Sequence, residues 1–115
     1  MAKELFIRAL EAFAIGDAVG LPTEFMTRDE IRRVYTEIDG LPNPKFSRFH
    51  SDLPAGSISD DTEQNLFLLD AFREKGISTE ATVYALLKWI EESRAVEKKF
   101  IGPSSLKSLR AIQSG

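Results

Sequence analysis

Apolar residues recur at helical spacing in every long segment of this chain, and no run alternates apolar and polar residues as a half-buried strand would. That pattern restricts the fold to helices joined by turns. Leu5, Phe6, Ala9, Leu10, Phe13 and Ile15 lay a wide apolar face along a helix predicted over residues 3–20. Its second half turns small, with Ala14, Gly16, Ala18 and Gly20, and Pro22 ends it. A helical glycine costs about 1 kcal/mol against alanine, a loss that close approach of a backbone or a ligand offsets.

Thr27 and Glu30 form a capping box that starts a helix predicted over 28–37, stopped by Gly40 and Pro42. Ser59 caps a helix predicted over 60–75, closed by Gly76. Leu66-Phe67-Leu68-Leu69 makes that helix apolar nearly all round, which predicts a central, buried position. Ser78 starts a helix reaching about residue 93, with Val83, Tyr84, Leu87 and Ile90 as its core stripe and Leu86 and Trp89 widening it. Gly102-Pro103 opens a last helix with Leu106, Leu109 and Ile112 on one face. The fold class expected is all-α, with short segments packed at several angles rather than a bundle of long helices. Between Leu41 and Ile58 the helical period vanishes. Pro42, Pro44, Pro54 and Gly56 punctuate this stretch, and Phe46, Phe49 and His50 lie between them. A stretch this long without regular structure is uncommon in a small domain and is often functional.

The chain has 115 residues, the size of one small domain, and folding buries roughly two-thirds of the extended-chain surface at this length. A hydrophobic fraction of 43% with 29% charged residues predicts a packed core rather than disorder. The 18 acidic and 15 basic residues give a net charge of -3, without the concentrated basic surface that nucleic acid requires. A small phosphorylated ligand held by backbone N–H groups and a metal fits that balance. Cysteine is absent and His50 is the one histidine. Acid–base chemistry therefore falls to Asp and Glu, and any metal should be a hard, oxygen-seeking ion. Met1-Ala2-Lys3-Glu4 does not read as a signal peptide, and no apolar run approaches membrane-spanning length, so the expected setting is cytoplasmic, away from membranes.

Ser59, Asp60 and Asp61 follow the aperiodic stretch at a helix start. Consecutive helical residues point about 100° apart, but the first turn is half wound, so a hydroxyl and two carboxylates there can converge on ions. Mg²⁺ takes such oxygen ligands, and a carboxylate can bridge two ions. The same residues also make ordinary capping and macrodipole chemistry. Asp17, set between Gly16 and Gly20 in an apolar helix, is unusual because an ionised carboxylate resists burial. It can accept hydrogen bonds from a backbone turn instead. Glu24 at the helix exit reads, by itself, as a solvated acid. Gly102, Ser104 and Ser105 can cradle a phosphate at a helix start, or simply start the helix. His50 reads as a structural or a catalytic imidazole.

Ala14-Ile15-Gly16-Asp17-Ala18-Val19-Gly20-Leu21-Pro22-Thr23-Glu24-Phe25 resembles the N-terminal signature of the ADP-ribosylglycohydrolases, a family that includes the dinitrogenase reductase-activating glycohydrolases. Ser59-Asp60-Asp61-Thr62-Glu63 is similar to that family's first metal motif, and Phe100-Ile101-Gly102-Pro103-Ser104-Ser105 to a third segment. The three occur in family order. The resemblance implies an all-helical fold, a binuclear Mg²⁺ site (Mn²⁺ in some members) and hydrolysis of ADP-ribose from a modified protein or a related compound. It implies Ser59, Asp60, Asp61 and Glu24 as metal ligands, with Asp60, Asp61 or Glu24 in the acid–base step and Asp17 in support. Gly102, Ser104, Ser105 and His50 are the substrate-binding candidates.

Family members are two to three times longer and carry a second, Asp-x-Asp-Thr/Ser metal motif near the C-terminus. Asp52, Asp60, Asp61 and Asp70 are the aspartates after Asp39, and none forms that motif. The 115 residues are thus expected to be the N-terminal part of a single domain, holding about half of the metal cage and inactive alone. The other reading is a truncated or degenerate member with a non-catalytic binding or structural role. Apolar helix faces suggest surface that a longer protein would cover, or that self-association would.

Overall fold

In the computed structural model, which describes every residue from Met1 to Gly115, the chain forms five α-helices and two 3₁₀ turns and no strand. It divides into two compact units, Met1–Ser59 and Asp60–Gly115. The all-α class expected from periodicity is the class observed.

In the first unit, helix α1 spans Ala2–Gly20 and continues into a 3₁₀ turn, Leu21–Thr23, where Pro22 stops the α-helical ladder. Thr23 Oγ1 donates to Gly20 O at 2.9 Å, which tightens the exit. Helix α2 spans Arg28–Tyr35 and carries the predicted capping box. Glu30 N–H donates to Thr27 Oγ1 at 3.2 Å, and Thr27 N–H donates to Glu30 Oε2 at 2.5 Å. Hydrogen bonds from the Thr27 backbone, the Thr27 side chain and Arg48 hold the Glu30 carboxyl down at about 2. The helix ends two residues before the predicted boundary because Thr36 adopts φ 54°.

The aperiodic stretch is tied down by local turn chemistry. Asn43 caps a 3₁₀ turn, Pro44–Phe46, through its side-chain oxygen, which accepts from Lys45 N–H at 3.0 Å. Tyr35 Oη donates to Asn43 O at 2.7 Å. Ser47 and His50 are both buried, and His50 N–H donates to Ser47 Oγ at 3.2 Å.

Helix α1 departs from expectation in its packing. Its apolar face lies largely exposed, with Leu5 at 69% and Ile15 at 60%, and Ala18 is its one buried residue. A Cβ added at Gly16 or Gly20 would meet nothing within 4 Å, so the close approach expected to offset these glycines is not made within the chain.

In the second unit, helix α3 spans Asp60–Lys75 and helix α4 spans Thr79–Ser93, and the two pack against each other. Gly76 takes φ 77° and donates its N–H to Phe72 O at 2.9 Å, closing α3 as predicted. Ser78 Oγ accepts from Ala81 N–H at 3.0 Å and caps α4. The core follows the periodicity only in part: Trp89 is buried as expected, but the other buried residues of the two helices are not the predicted ones. Ala71, Ala81, Ala85 and Trp89 are buried, whereas Leu66 is 52% exposed and Tyr84 is also exposed. Small side chains between packed helices let their backbones approach closely. Ala95 and Phe100 are buried in the turns after α4, where Phe100 N–H donates to Ala95 O at 2.9 Å. Helix α5 spans Pro103–Gln113, with Leu109 buried and Ile112 exposed.

Candidate metal centre

The acidic segment straddles the division of the chain. Ser59 closes the first unit, and Asp60 and Asp61 form the start of α3 in the second. Three carboxylates, Asp60, Asp61 and Glu63, occupy the first turn of α3, where the positive end of the helix dipole favours them. Asp60 is half-buried and Asp61 is exposed.

Within the first unit, Asp17 and Ser59 meet. Ser59 Oγ donates to Asp17 Oδ1 at 2.6 Å, and Ser59 N–H donates to Asp17 Oδ2 at 2.8 Å. Asp17 lies near the end of α1, half-buried, and Ser59 is buried at 4% exposure. The glycine-flanked aspartate thus accepts from a backbone N–H, as the structural reading of it expected. It also accepts from the hydroxyl of Ser59, a candidate ligand.

Glu24 lies just past the 3₁₀ turn and is exposed. The next residue, Phe25, adopts φ 63°, a conformation that costs a bulky residue roughly 1–2 kcal/mol. Its ring meets Phe49 edge to face, with centroids 5.2 Å apart. Glu24 Oε2 stands 3.7 Å from Nε2 of the buried His50, an ion pair when the imidazole is protonated. The first unit therefore brings together two pairs, Asp17 with Ser59 and Glu24 with His50.

Within the second unit, Glu63 is the residue that sequence reasoning missed. Its Oε2 accepts from Trp89 Nε1 at 2.9 Å, and its Oε1 accepts from Lys98 Nζ at 3.1 Å. Trp89 is fully buried, so its indole N–H needs an acceptor, and Glu63 supplies it. One signal was available: a single Trp inside a helix needs a polar partner. Its identity, 26 residues away, was not in the local pattern. Thr62, between Asp61 and Glu63, is buried as well. Gly102, Ser104 and Ser105 form the exposed start of α5, with Gly102 as its N-cap and Pro103 at the first position.

In neither unit do three or more His, Asp or Glu side chains gather as a metal cage. The candidate donors are nonetheless of one chemical kind. Ser59, Asp60, Asp61 and Glu24 offer oxygen only, the set that Mg²⁺ and Mn²⁺ take. The Ser59 hydroxyl directs its proton to Asp17. Each of these side chains, taken singly, is of the donor type that a hard divalent ion takes. No helix is long and apolar enough to cross a membrane.

The sequence model of the ADP-ribosylglycohydrolases matches residues 2–115. An uncharacterized protein of Archaeoglobus fulgidus is 34% identical over 115 residues, covering 98% of this chain and 35% of that protein. The uncharacterized protein YegU of Escherichia coli K12 is 33% identical over 118 residues, covering 100% of this chain and 35% of its own length. An ADP-ribosyl-[dinitrogen reductase] glycohydrolase of Rhodospirillum rubrum is 40% identical over 72 residues, 60% of this chain and 23% of that protein. No solved structure matches. The chain spans about a third of the length of the first two relatives.

Proposed function

We propose that this chain, which belongs to the ADP-ribosylglycohydrolase family, supplies one half of a metal-dependent site that hydrolyses ADP-ribosyl glycosidic bonds in the whole protein. The observation that carries the reading is the place of Ser59, Asp60 and Asp61: an all-oxygen donor set at the start of α3, within a family match that covers nearly the whole chain. The family is generally metal-dependent, and Mg²⁺, with Mn²⁺ as its substitute, suits these donors.

Ser59, Asp60, Asp61 and Glu24 are the residues that hold the ions in this reading. When bound, divalent ions supply Lewis-acid polarisation and orientation of the ribose hydroxyls. In the hydrolysis, water gives its hydroxyl to the anomeric carbon, the glycosidic bond breaks, and the leaving nitrogen or oxygen takes a proton. A carboxylate among Asp60, Asp61 and Glu24 moves that proton, which needs no more than hydrogen-bond reach and a suitable protonation state. The free N–H groups at the start of α5, with Ser104 and Ser105, suit a phosphate of the ADP moiety. His50, 3.7 Å from Glu24, stays a substrate-binding candidate in this reading. The two units are read as parts of one domain.

The test is release of ADP-ribose from an ADP-ribosylated protein by the whole protein. We expect release that requires Mg²⁺ or Mn²⁺, stops on chelation, and is abolished in Asp60→Ala and Asp61→Ala. Residues 1–115 alone should release none, because they contain no Asp-x-Asp-Thr/Ser segment. Undiminished release by both variants would refute the assignment.

A further inference from the structure

We infer that Asp17 is a positioning residue, whose task is to set the proton of the Ser59 hydroxyl so that the oxygen lone pairs face a cation. The inference rests on the reading of Ser59 as a ligand given above. Its own support is geometric.

A serine hydroxyl has one proton and two lone pairs, and its proton rotates to whichever acceptor is nearest. A hydroxyl that binds a cation must turn a lone pair towards it and its proton away. At position 59 the proton has a fixed destination, Asp17 Oδ1 at 2.6 Å, a length typical of a hydroxyl donating to a carboxylate. The second carboxylate oxygen takes the Ser59 N–H at 2.8 Å. Two bonds to one carboxylate fix the backbone and the side chain of Ser59 together. Ser59 is buried at 4% exposure, so water competes little for either bond.

The arrangement resembles the way carboxylates orient metal-bound imidazoles from behind, where loss of the supporting group weakens metal affinity roughly 10–100-fold. Each oxygen of Asp17 accepts a hydrogen from Ser59, and the role inferred for it is exerted through the serine. It also accounts for a carboxylate in an otherwise apolar helix turn, where an ionised group needs compensating donors.

The experiment is Mn²⁺ binding, followed by electron paramagnetic resonance, to the whole protein and to Asp17→Asn, Ser59→Ala and the double variant. An asparagine keeps the shape of the side chain but offers one acceptor oxygen and a donor in place of the second. We expect each single variant to weaken Mn²⁺ about 10–100-fold. The double variant should bind no more weakly than Ser59→Ala, because two residues acting through one contact are not additive. Faster amide exchange at Ser59 in Asp17→Asn than in the parent, read without metal, is the second expected result. Circular dichroism establishes that each variant is folded. If Asp17→Asn is not, Asp17→Glu makes the same test with the carboxylate kept but displaced. Parent-like Mn²⁺ binding in a folded Asp17 variant, with Ser59→Ala weakened, would overturn this inference and leave the metal site standing. So would full additivity, which would make Asp17 a ligand in its own right. No Mn²⁺ binding by the parent would remove the metal reading, and this inference with it.

Discussion

The segment Ser59–Glu63 is held in opposite ways at its two ends. At Ser59 the segment donates, and a carboxylate from α1, Asp17, accepts both the hydroxyl and the amide hydrogen. At Glu63 the segment accepts, and the donors are an indole and an ammonium, Trp89 and Lys98. Each clamp lies within its own unit. The difference separates two tasks. The Asp17 clamp controls the direction of a hydroxyl, which matters to a ligand. The Glu63 clamp satisfies the most deeply buried polar side chain of the helix pair, which matters to stability. Between them in the chain run Asp60 and Asp61, in the first turn of α3.

Removing the anchor of the second clamp should have the largest effect. Trp89→Ala is expected to destabilise the chain by about 3–5 kcal/mol, since it empties a fully buried aromatic site. Urea unfolding followed by circular dichroism measures it, and a loss below about 1 kcal/mol would mean that the α3–α4 seam does not depend on the indole. Glu63→Gln keeps an acceptor for the indole but removes the charge, and should cost about 1–3 kcal/mol. It should also shift the emission of Trp89, the one tryptophan, whereas Asp17→Asn should leave that emission in place. Equal emission shifts in the two variants would erase the contrast between the clamps.

Gly16→Ala sharpens the comparison from the α1 side. A Cβ there meets nothing within 4 Å, so the helix should gain about 0.5–1 kcal/mol. If the whole protein instead loses stability or metal affinity, Gly16 is small because something beyond these residues lies against it. The smallest effect belongs to the capping box of α2, which shares no residue with either clamp. The Glu30 carboxyl sits at about 2 in the folded chain, below its ordinary 4.5. Its contribution is therefore present above pH 4.5 and fades as the pH falls towards about 2. Acid unfolding of Glu30→Gln should lack that part of the pH dependence, while its Mn²⁺ affinity stays at the parent value.

The helices were legible in the sequence because their signals are local. The Thr27–Glu30 box, the Ser78 cap, the positive φ of Gly76 and Pro103 at a first turn all appear where they were expected. What packs against what was less legible. The bulky Leu66 and Tyr84 had the apolar character of core residues, yet they are exposed while Ala71, Ala81 and Ala85 are buried. Apolar periodicity reports which face avoids water, not which side chains are small enough for two backbones to approach. The clamps were illegible for a related reason. Asp17 and Ser59 are 42 residues apart, and Glu63 and Trp89 are 26 apart, so neither pairing leaves a local mark. Asp17 could be singled out as out of place on α1, but its partner could not be named. The acidic pair Asp60-Asp61 was readable as a motif, though the same residues satisfy a helix dipole whether or not an ion is present.

The central claim is that the oxygens at the start of α3 exist to hold divalent cations. Calorimetric titration of the whole protein with Mg²⁺, beside Asp60→Ala and Asp61→Ala, tests it most directly. Saturable binding by the parent that disappears in both variants is the predicted result. Identical heats in all three proteins would contradict it, and would return the two aspartates to the ordinary work of starting a helix.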